Sequence, residues 1–391
     1  MTTIKLFYAT NRRHEGPSRW KPTGYGTKFS DDGIENLRFG RLSFEADSAE
    51  IQKCVTRPVD HGVGDGRRLS KLLSATLQDG MAIAPYREKI DRRSSEAKQP
   101  NARLGSKALF NDLHSVMSKT TDVVIFVHGF NVSWVDAVAS AASLQLMLNS
   151  TPARDPGQEV QVVLFSWPSD GLALPYVSYK SDRTEAQGSG FAFARGLLKV
   201  RDFLAEMRRP SGEALEPCRQ DIHLLCHSMG NYVLQNALKR MSEFTPGTSM
   251  SRILEHVFLC APDVDDDVLE PANPLGRIHE IARQVTVYHN RGDKAMHVSD
   301  YTKGNPERLG TNGSARPALV HNKVHQVDCS DIVEDTYDEH GYYAWGLTAA
   351  DIRQSIDGVP ADGPARARKA SRELPNVWRL EGEAATLRRL G

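Results

Sequence analysis

The segment Cys226-His-Ser-Met-Gly230 carries the residue types of a nucleophile turn. A short apolar run, Ile222–Cys226, leads into it, and a helix-period segment, Tyr232–Met241, leads out. A turn this tight between a strand and a helix holds its central residue in strained backbone geometry, with the side chain standing above the sheet. The positions two before and two after it have to be small. Gly230 fits, and Cys226, where glycine is usual, is small but carries a Cβ. The free cysteine, set inside an apolar strand, reads as a buried inert thiol and not as the nucleophile. Ser228 is the candidate nucleophile, and its chemistry is acyl transfer.

A serine hydroxyl is a weak nucleophile without a base, and the base needs an acid to orient it. On a doubly wound sheet these partners follow the serine on loops at the carboxyl ends of later strands, acid before histidine. Beyond the strand-like run Val285–His289 comes Asn290-Arg-Gly-Asp293, and beyond Val324–Asp328 an acidic stretch ends in Glu339-His340-Gly341. Of the 13 histidines, His227 faces away from Ser228 within the turn and His289 lies within a strand. His321 and His325 flank the last strand-like run, at a spacing that makes a metal pair only on a helix. His340 is the candidate base. Asp293 is favoured as the acid over Asp263, which falls one strand too early, and Asp265–Asp267 reads as a solvated acidic turn.

The developing oxyanion needs two N–H donors. One is the backbone of Met229, at the start of a helix. The other belongs to the loop after Val123–Val127, where His128-Gly-Phe-Asn131 stands, and Phe130 is the candidate. His128 itself reads as a residue that hydrogen-bonds within this loop.

These residues require a frame. The runs Val123–Val127, Val160–Phe165, Ile222–Cys226, Val257–Ala261, Val285–Tyr288 and Val324–Val327 are short and mostly apolar throughout, as in strands covered on both faces. Helix-period segments, Trp134–Met147, Phe191–Met207 and Tyr232–Met241, alternate with them and imply right-handed βαβ units in a parallel sheet. Upstream, Ile4–Tyr8 and Leu37–Phe44 read as a strand pair joined by a loop from Asn11 to Gly33. Residues of about 50–110 read as an insertion, 168–190 as a candidate lid, and 358–391 as a charged appendage to a catalytic domain of residues 1–357.

Composition narrows the setting. Hydrophobic residues at 40% and charged residues at 25% exclude wholesale disorder. With 49 basic and 49 acidic side chains, the chain lacks the basic excess of a nucleic-acid binder. No apolar stretch is long enough to span a membrane, and Met1–Tyr8 lacks the pattern of a signal peptide. Five scattered cysteines without CxxC pairs read as reduced thiols, so the expectation is a soluble cytoplasmic protein.

Six separated pieces, Tyr8-Ala-Thr-Asn-Arg12, His128-Gly-Phe-Asn131, Ser166-Trp-Pro-Ser169, His227-Ser-Met-Gly-Asn231, Ala261-Pro-Asp263 and His340-Gly-Tyr-Tyr343, together resemble a bacterial branch of the α/β-hydrolase superfamily. The resemblance runs from Ile4 to about residue 355 and is poor between about 50 and 110. It implies the α/β-hydrolase fold, with Ser228, Asp293 and His340 as the matching triad positions, and it carries no common substrate. Asp170, Tyr179 and Asp182 also resemble recurring positions, without an assignable role. Trp134, Trp167, Tyr176 and Tyr342 lie near strand ends and are candidate pocket residues for an apolar acyl or aromatic group. The sequence thus points to a serine hydrolase acting on carboxylic esters through an acyl-enzyme, with no cofactor or metal. An amidase or acyltransferase needs the same triad, and a non-catalytic binding protein on the same fold is the contrasting reading.

Overall fold

A computed structural model of the chain describes residues 1–59, 62–87, 105–119, 121–151, 157–169, 175–207, 220–245, 247–296, 307–333 and 339–382. Its centre is an 11-stranded sheet. Seven strands form the parallel body with one edge strand: β1 (Thr2–Thr10), β8 (Thr121–Val127), β9 (Glu159–Ser166), β10 (Ile222–His227), β11 (Leu254–Cys260), β12 (Ala282–His289) and β13 (Val324–Asp328), joined at the far side by β15 (Val377–Leu380). Three antiparallel strands complete the two edges: β4 (Arg38–Ala46) and β7 (Ala82–Pro85) beside β1, and β14 (Arg368–Ala370) beside β15. In space the order is β14-β15-β13-β12-β11-β10-β8-β9-β1-β4-β7.

Helices cover both faces, as the unbroken apolar runs require. On one face α3 (Gly105–Met117), α5 (Pro175–Met207) and α6 (Gly230–Phe244) pack on Val123, Val127, Leu224 and Val257. On the other, α2 (Gly66–Leu77), α4 (Trp134–Ser150) and the turn Tyr342–Trp345 pack on Val124, Phe126, Leu225 and Phe258. The chain steps from β8 to β9 on one side, then returns past β8 to β10 on the other. Strand order reverses there, and the carboxyl ends of β8 and β10 open the crevice where such sheets bind ligands.

Four expectations change at the periphery. The supposed loop from Asn11 to Gly33 holds a hairpin of β2 (Arg12–Glu15) and β3 (Gly24–Phe29). Tyr25 on β3 packs edge-on against Tyr8 and Trp134, which gives a Gly- and charge-rich stretch a buried anchor. Within the supposed insertion, α2 packs on α4 and β7 extends the main sheet, so its described part belongs to the same body. The described part of the candidate lid is Pro168, Ser169 and the first half of α5, where Asp182 and Ala186 are fully buried. The stretch after residue 357 is no appendage: β15 pairs with β13, and the guanidinium groups of Arg366 and Arg368 clamp the buried carboxylate of Asp351 at 2.7 and 2.6 Å. Among the described residues no helix is long and apolar enough to cross a membrane.

Candidate active site

Ser228 stands between β10 and α6 at φ 53, in the left-handed region that a serine rarely enters. The strain is held by surrounding bonds. The Ser228 N–H donates to Cys260 O at 3.0 Å, while Ser228 O accepts the N–H groups of Asn231 and Asp263 at 3.0 and 3.2 Å. Buried Asn231 adds its side-chain amide, which donates to Cys226 O at 3.1 Å and Ser228 O at 3.0 Å. Glycine at 230 is obligatory, since a Cβ there would lie 2.6 Å from Val127 O. Cys226 is fully buried, and burial pushes its thiol well above the ordinary range.

His340 and Asp293 meet: His340 Nδ1 lies 2.7 Å from Asp293 Oδ2. A carboxylate only accepts, so Nδ1 carries the proton and Nε2 keeps the lone pair a base requires. Burial works against a charged His340, but the Asp293 carboxylate and its hydrogen bond raise the histidine above its ordinary value, with Asp263 adding to the effect. Burial likewise opposes the Asp293 charge, and the His340 partner holds that carboxyl below the usual range.

Asp263 has other partners. Its carboxylate accepts from Tyr179 Oη at 2.9 Å and lies 3.4 Å from Nε of the fully buried Arg308. His227 lies closer to the base than the sequence implied. Its ring centroid is 4.6 Å from that of His340, and its Nε2–H donates to His340 O at 3.0 Å. Burial, and the neighbouring His340 charge, push it down to about 3, so it stays neutral.

The loop after β8 presses on the nucleophile: a Cβ on Gly129 would sit 2.8 Å from Ser228 Cβ and 3.3 Å from its Oγ. His128, 1% exposed, has Nε2 within reach of the Ser166 hydroxyl at 3.2 Å and the Trp167 N–H at 3.3 Å. With donors on Nε2, its proton belongs on Nδ1, which donates to Gly129 O at 2.8 Å. Burial, with Arg12 beside it, lowers His128 to about 3. Fully buried Arg12 ties the loops together, donating to Ser166 Oγ at 2.8 Å, Val132 O at 2.8 Å and Gly26 O at 3.1 Å.

Three of the four aromatic candidates, Trp134, Trp167 and Tyr342, lie in the core and not in a pocket. Trp167 is fully buried, stacked on His128 and donating to His128 O at 2.9 Å. Trp134 packs edge-on against Tyr8 and Tyr25, and Tyr342 donates to Tyr288 O at 2.9 Å within the core. Large rings near strand ends complete the core layer before they reach a crevice. The side chain of Tyr176 lies outside the described residues. A cavity of about 210 Å³ does adjoin the site loops, lined by Arg67, Ser70, Lys71, Gly129, His227 and Gly341. A larger apolar cavity, about 300 Å³, lies between α3, α5 and the sheet and touches none of Ser228, Asp293 and His340. Among the described residues no group of three or more His, Cys, Asp or Glu side chains is placed to hold a metal ion.

Sequence reasoning named Ser228, Asp293 and His340, but it gave Tyr179 and Asp182 no role and missed Arg12, Asn231 and Arg308 as supports. Arg12, Ser166, Ser169 and Asn231 all stood inside the recognised motif pieces, and that was their signal.

A mostly parallel sheet with helices on both faces, and a strained serine turn at its switch point, defines the α/β-hydrolase fold. The chain belongs to a family described as alpha/beta hydrolases of unknown function (DUF900), which matches residues 106–350. That match includes the nucleophile turn and the loops of Asp293 and His340, but not β1 or Arg12. A solved structure described as a yden-like hydrolase, from Pectobacterium atrosepticum, is 14% identical. It covers 63% of this chain and 96% of its own, at a TM-score of 0.24. No curated protein matches the chain.

Proposed function

We propose that this hydrolase-family protein is a serine esterase working through an acyl-enzyme. The observation that carries the reading is Ser228 at φ 53 above the sheet, with a His340–Asp293 pair at 2.7 Å supplied by the loops of later strands. Ser228 Oγ attacks the ester carbonyl while His340 Nε2 takes its proton, and Asp293 holds the imidazole tautomer and balances its charge. Negative charge then grows on the carbonyl oxygen, where the N–H groups of Phe130 and Met229 are the donors. The imidazolium returns its proton to the departing alcohol. Water, activated by the same histidine, releases the carboxylic acid and restores Ser228.

The reading extends to the ester bond and not to the acyl group, because Trp134, Trp167 and Tyr342, which pointed to an apolar group, lie in the core. Amide hydrolysis and acyl transfer use the same groups, and products formed with competing alcohols or amines separate them.

An electrophilic phosphonate should bond to Ser228, located by mass spectrometry of the labelled peptide. Ser228→Ala should abolish labelling and lower p-nitrophenyl ester turnover roughly 10⁶-fold, as removal of one member of a catalytic unit does. An adduct on another serine or on Cys226, or turnover that survives Ser228→Ala, would overturn the mechanism.

A further inference from the structure

Asp182, on α5, takes no part in the proton transfers above, yet it is a charged group with no exposure at all. A carboxylate taken out of water needs donors, and two of them come from the segments that follow β8 and β9. Its Oδ2 accepts the Asn131 N–H at 2.8 Å and the Ser169 hydroxyl at 2.5 Å. Ser169 Oγ in turn accepts the Val132 N–H at 3.1 Å. The two N–H groups that follow Phe130 are therefore both drawn toward α5, and Asn131, between them, stands at φ 58.

The preceding peptide is fixed from the opposite side. Gly129 O accepts from His128 Nδ1–H at 2.8 Å. Because a trans peptide is planar, its N–H, that of Phe130, points away from that carbonyl. Two consecutive peptide planes thus have defined directions, one set by His128 and the next by the Asp182 carboxylate. The residue between them, Phe130, is the one whose N–H is assigned to the oxyanion.

We propose that Asp182 is a positioning residue for the oxyanion loop, an inference that rests on the serine-esterase reading. It does not touch substrate. Its carboxylate holds the Asn131 N–H and with it the Phe130–Asn131 peptide; without that bond Phe130 is fixed from one side only, by the His128 contact to Gly129 O, and its N–H loses its line to the oxyanion. A mere structural brace, such as Asp351 between Arg366 and Arg368, predicts lost stability with no selective effect on the transition state.

The test compares Asp182→Ala, Asp182→Asn and Ser169→Ala in the full chain with p-nitrophenyl butyrate. Asp182→Ala should lower kcat roughly 100-fold, the low end of what one lost oxyanion donor costs, with KM little changed. A short-chain trifluoromethyl ketone, whose hemiketal oxyanion occupies the hole, should lose affinity by about the same factor. Asp182→Asn keeps an acceptor oxygen for the Asn131 N–H and should restore most of kcat. Ser169→Ala should fall between the two, and it carries the test should Asp182→Ala fail to fold. Normal kcat and ketone affinity in folded Asp182→Ala, or in Ser169→Ala where that variant decides, would overturn the proposal. Failure of wild-type Ser228 to take up the phosphonate would instead remove the esterase reading on which it stands.

Discussion

The two halves of the site are built by different rules. In the half proposed to hold the oxyanion the working groups are backbone N–H donors, and a donor of that kind has no side chain through which it can be steered. It is fixed only through its neighbours: buried side chains from three other segments, Arg12, Ser169 and Asp182, converge on one short loop and act with its own His128. In the acid–base half the working groups are side chains. One hydrogen bond at 2.7 Å fixes the imidazole, and His227 holds the same residue by its carbonyl. The first half should be sensitive to residues remote from the reacting atoms, and the second to the reacting residues themselves.

Asp293→Asn attacks the second half directly. It should lower kcat by about 10⁴ while leaving the fold intact, because the amide presents the wrong histidine tautomer. Asp263→Asn should cost far less, since Tyr179 and Arg308 are its partners, and ester turnover that reverses this ranking would place the acid on the earlier loop. Arg12→Met tests the first half. It removes a buried charge that satisfies three loops, and its largest reading should be stability, lowered on the order of 3 kcal/mol in urea melts, with kcat lowered as well. An unchanged urea midpoint would show that the loops hold their own shape.

The pH profile sharpens the contrast again. In the proposed mechanism His340 has to be neutral to accept the Ser228 proton, and its pKa is raised by Asp293. The acid limb of kcat/KM should therefore inflect above about 6.5, the ordinary histidine value. An inflection below that value would mean the carboxylate does not govern the base. His128 and His227, both lowered to about 3, contribute no inflection near neutrality.

The smallest effect concerns stability alone. His223 and His256 stack at 5.4 Å in the sheet, and burial lowers both, His223 well below its ordinary value and His256 to about 4. As pH falls through 6.5 the unfolded chain takes up protons that these rings refuse, so stability is present above that pH and lost below it. His223→Leu should flatten the acid-side loss by about 1.4 kcal/mol per pH unit relative to wild type. Parallel curves for the two proteins would show that His223 takes up its proton in the folded state.

The centre of the fold was legible because strands buried on both faces read as unbroken apolar runs, and all six between Val123 and Val327 stand as β8 to β13. Ser228, His340 and Asp293 were legible because chain order on a doubly wound sheet dictates which loops can meet. Two kinds of feature were not. Peripheral elements such as β3, β7 and β15 are short, and β3 and β15 carry glycine or charge, so their burial depends on partners far away in the chain, as Tyr25 depends on Trp134. Supporting polar residues such as Asp182, which fell in the stretch read as a lid and had no assignable role, gain one only when the donors that bury them, on other segments, are in view.

The placement of β15 has a consequence for how the chain is made. During synthesis β13 emerges with one row of backbone donors and acceptors unpaired, and it stays so until residues 377–380 follow. Within that interval, until residues 366 and 368 follow, Asp351 also lacks both of its arginine partners. Nascent chains then present an open sheet edge close to an uncompensated carboxylate, a pairing template for other nascent chains. The last described strand to pair with β13 therefore closes that side of the sheet, and the edge has no partner in this chain until residues 377–380 are in place.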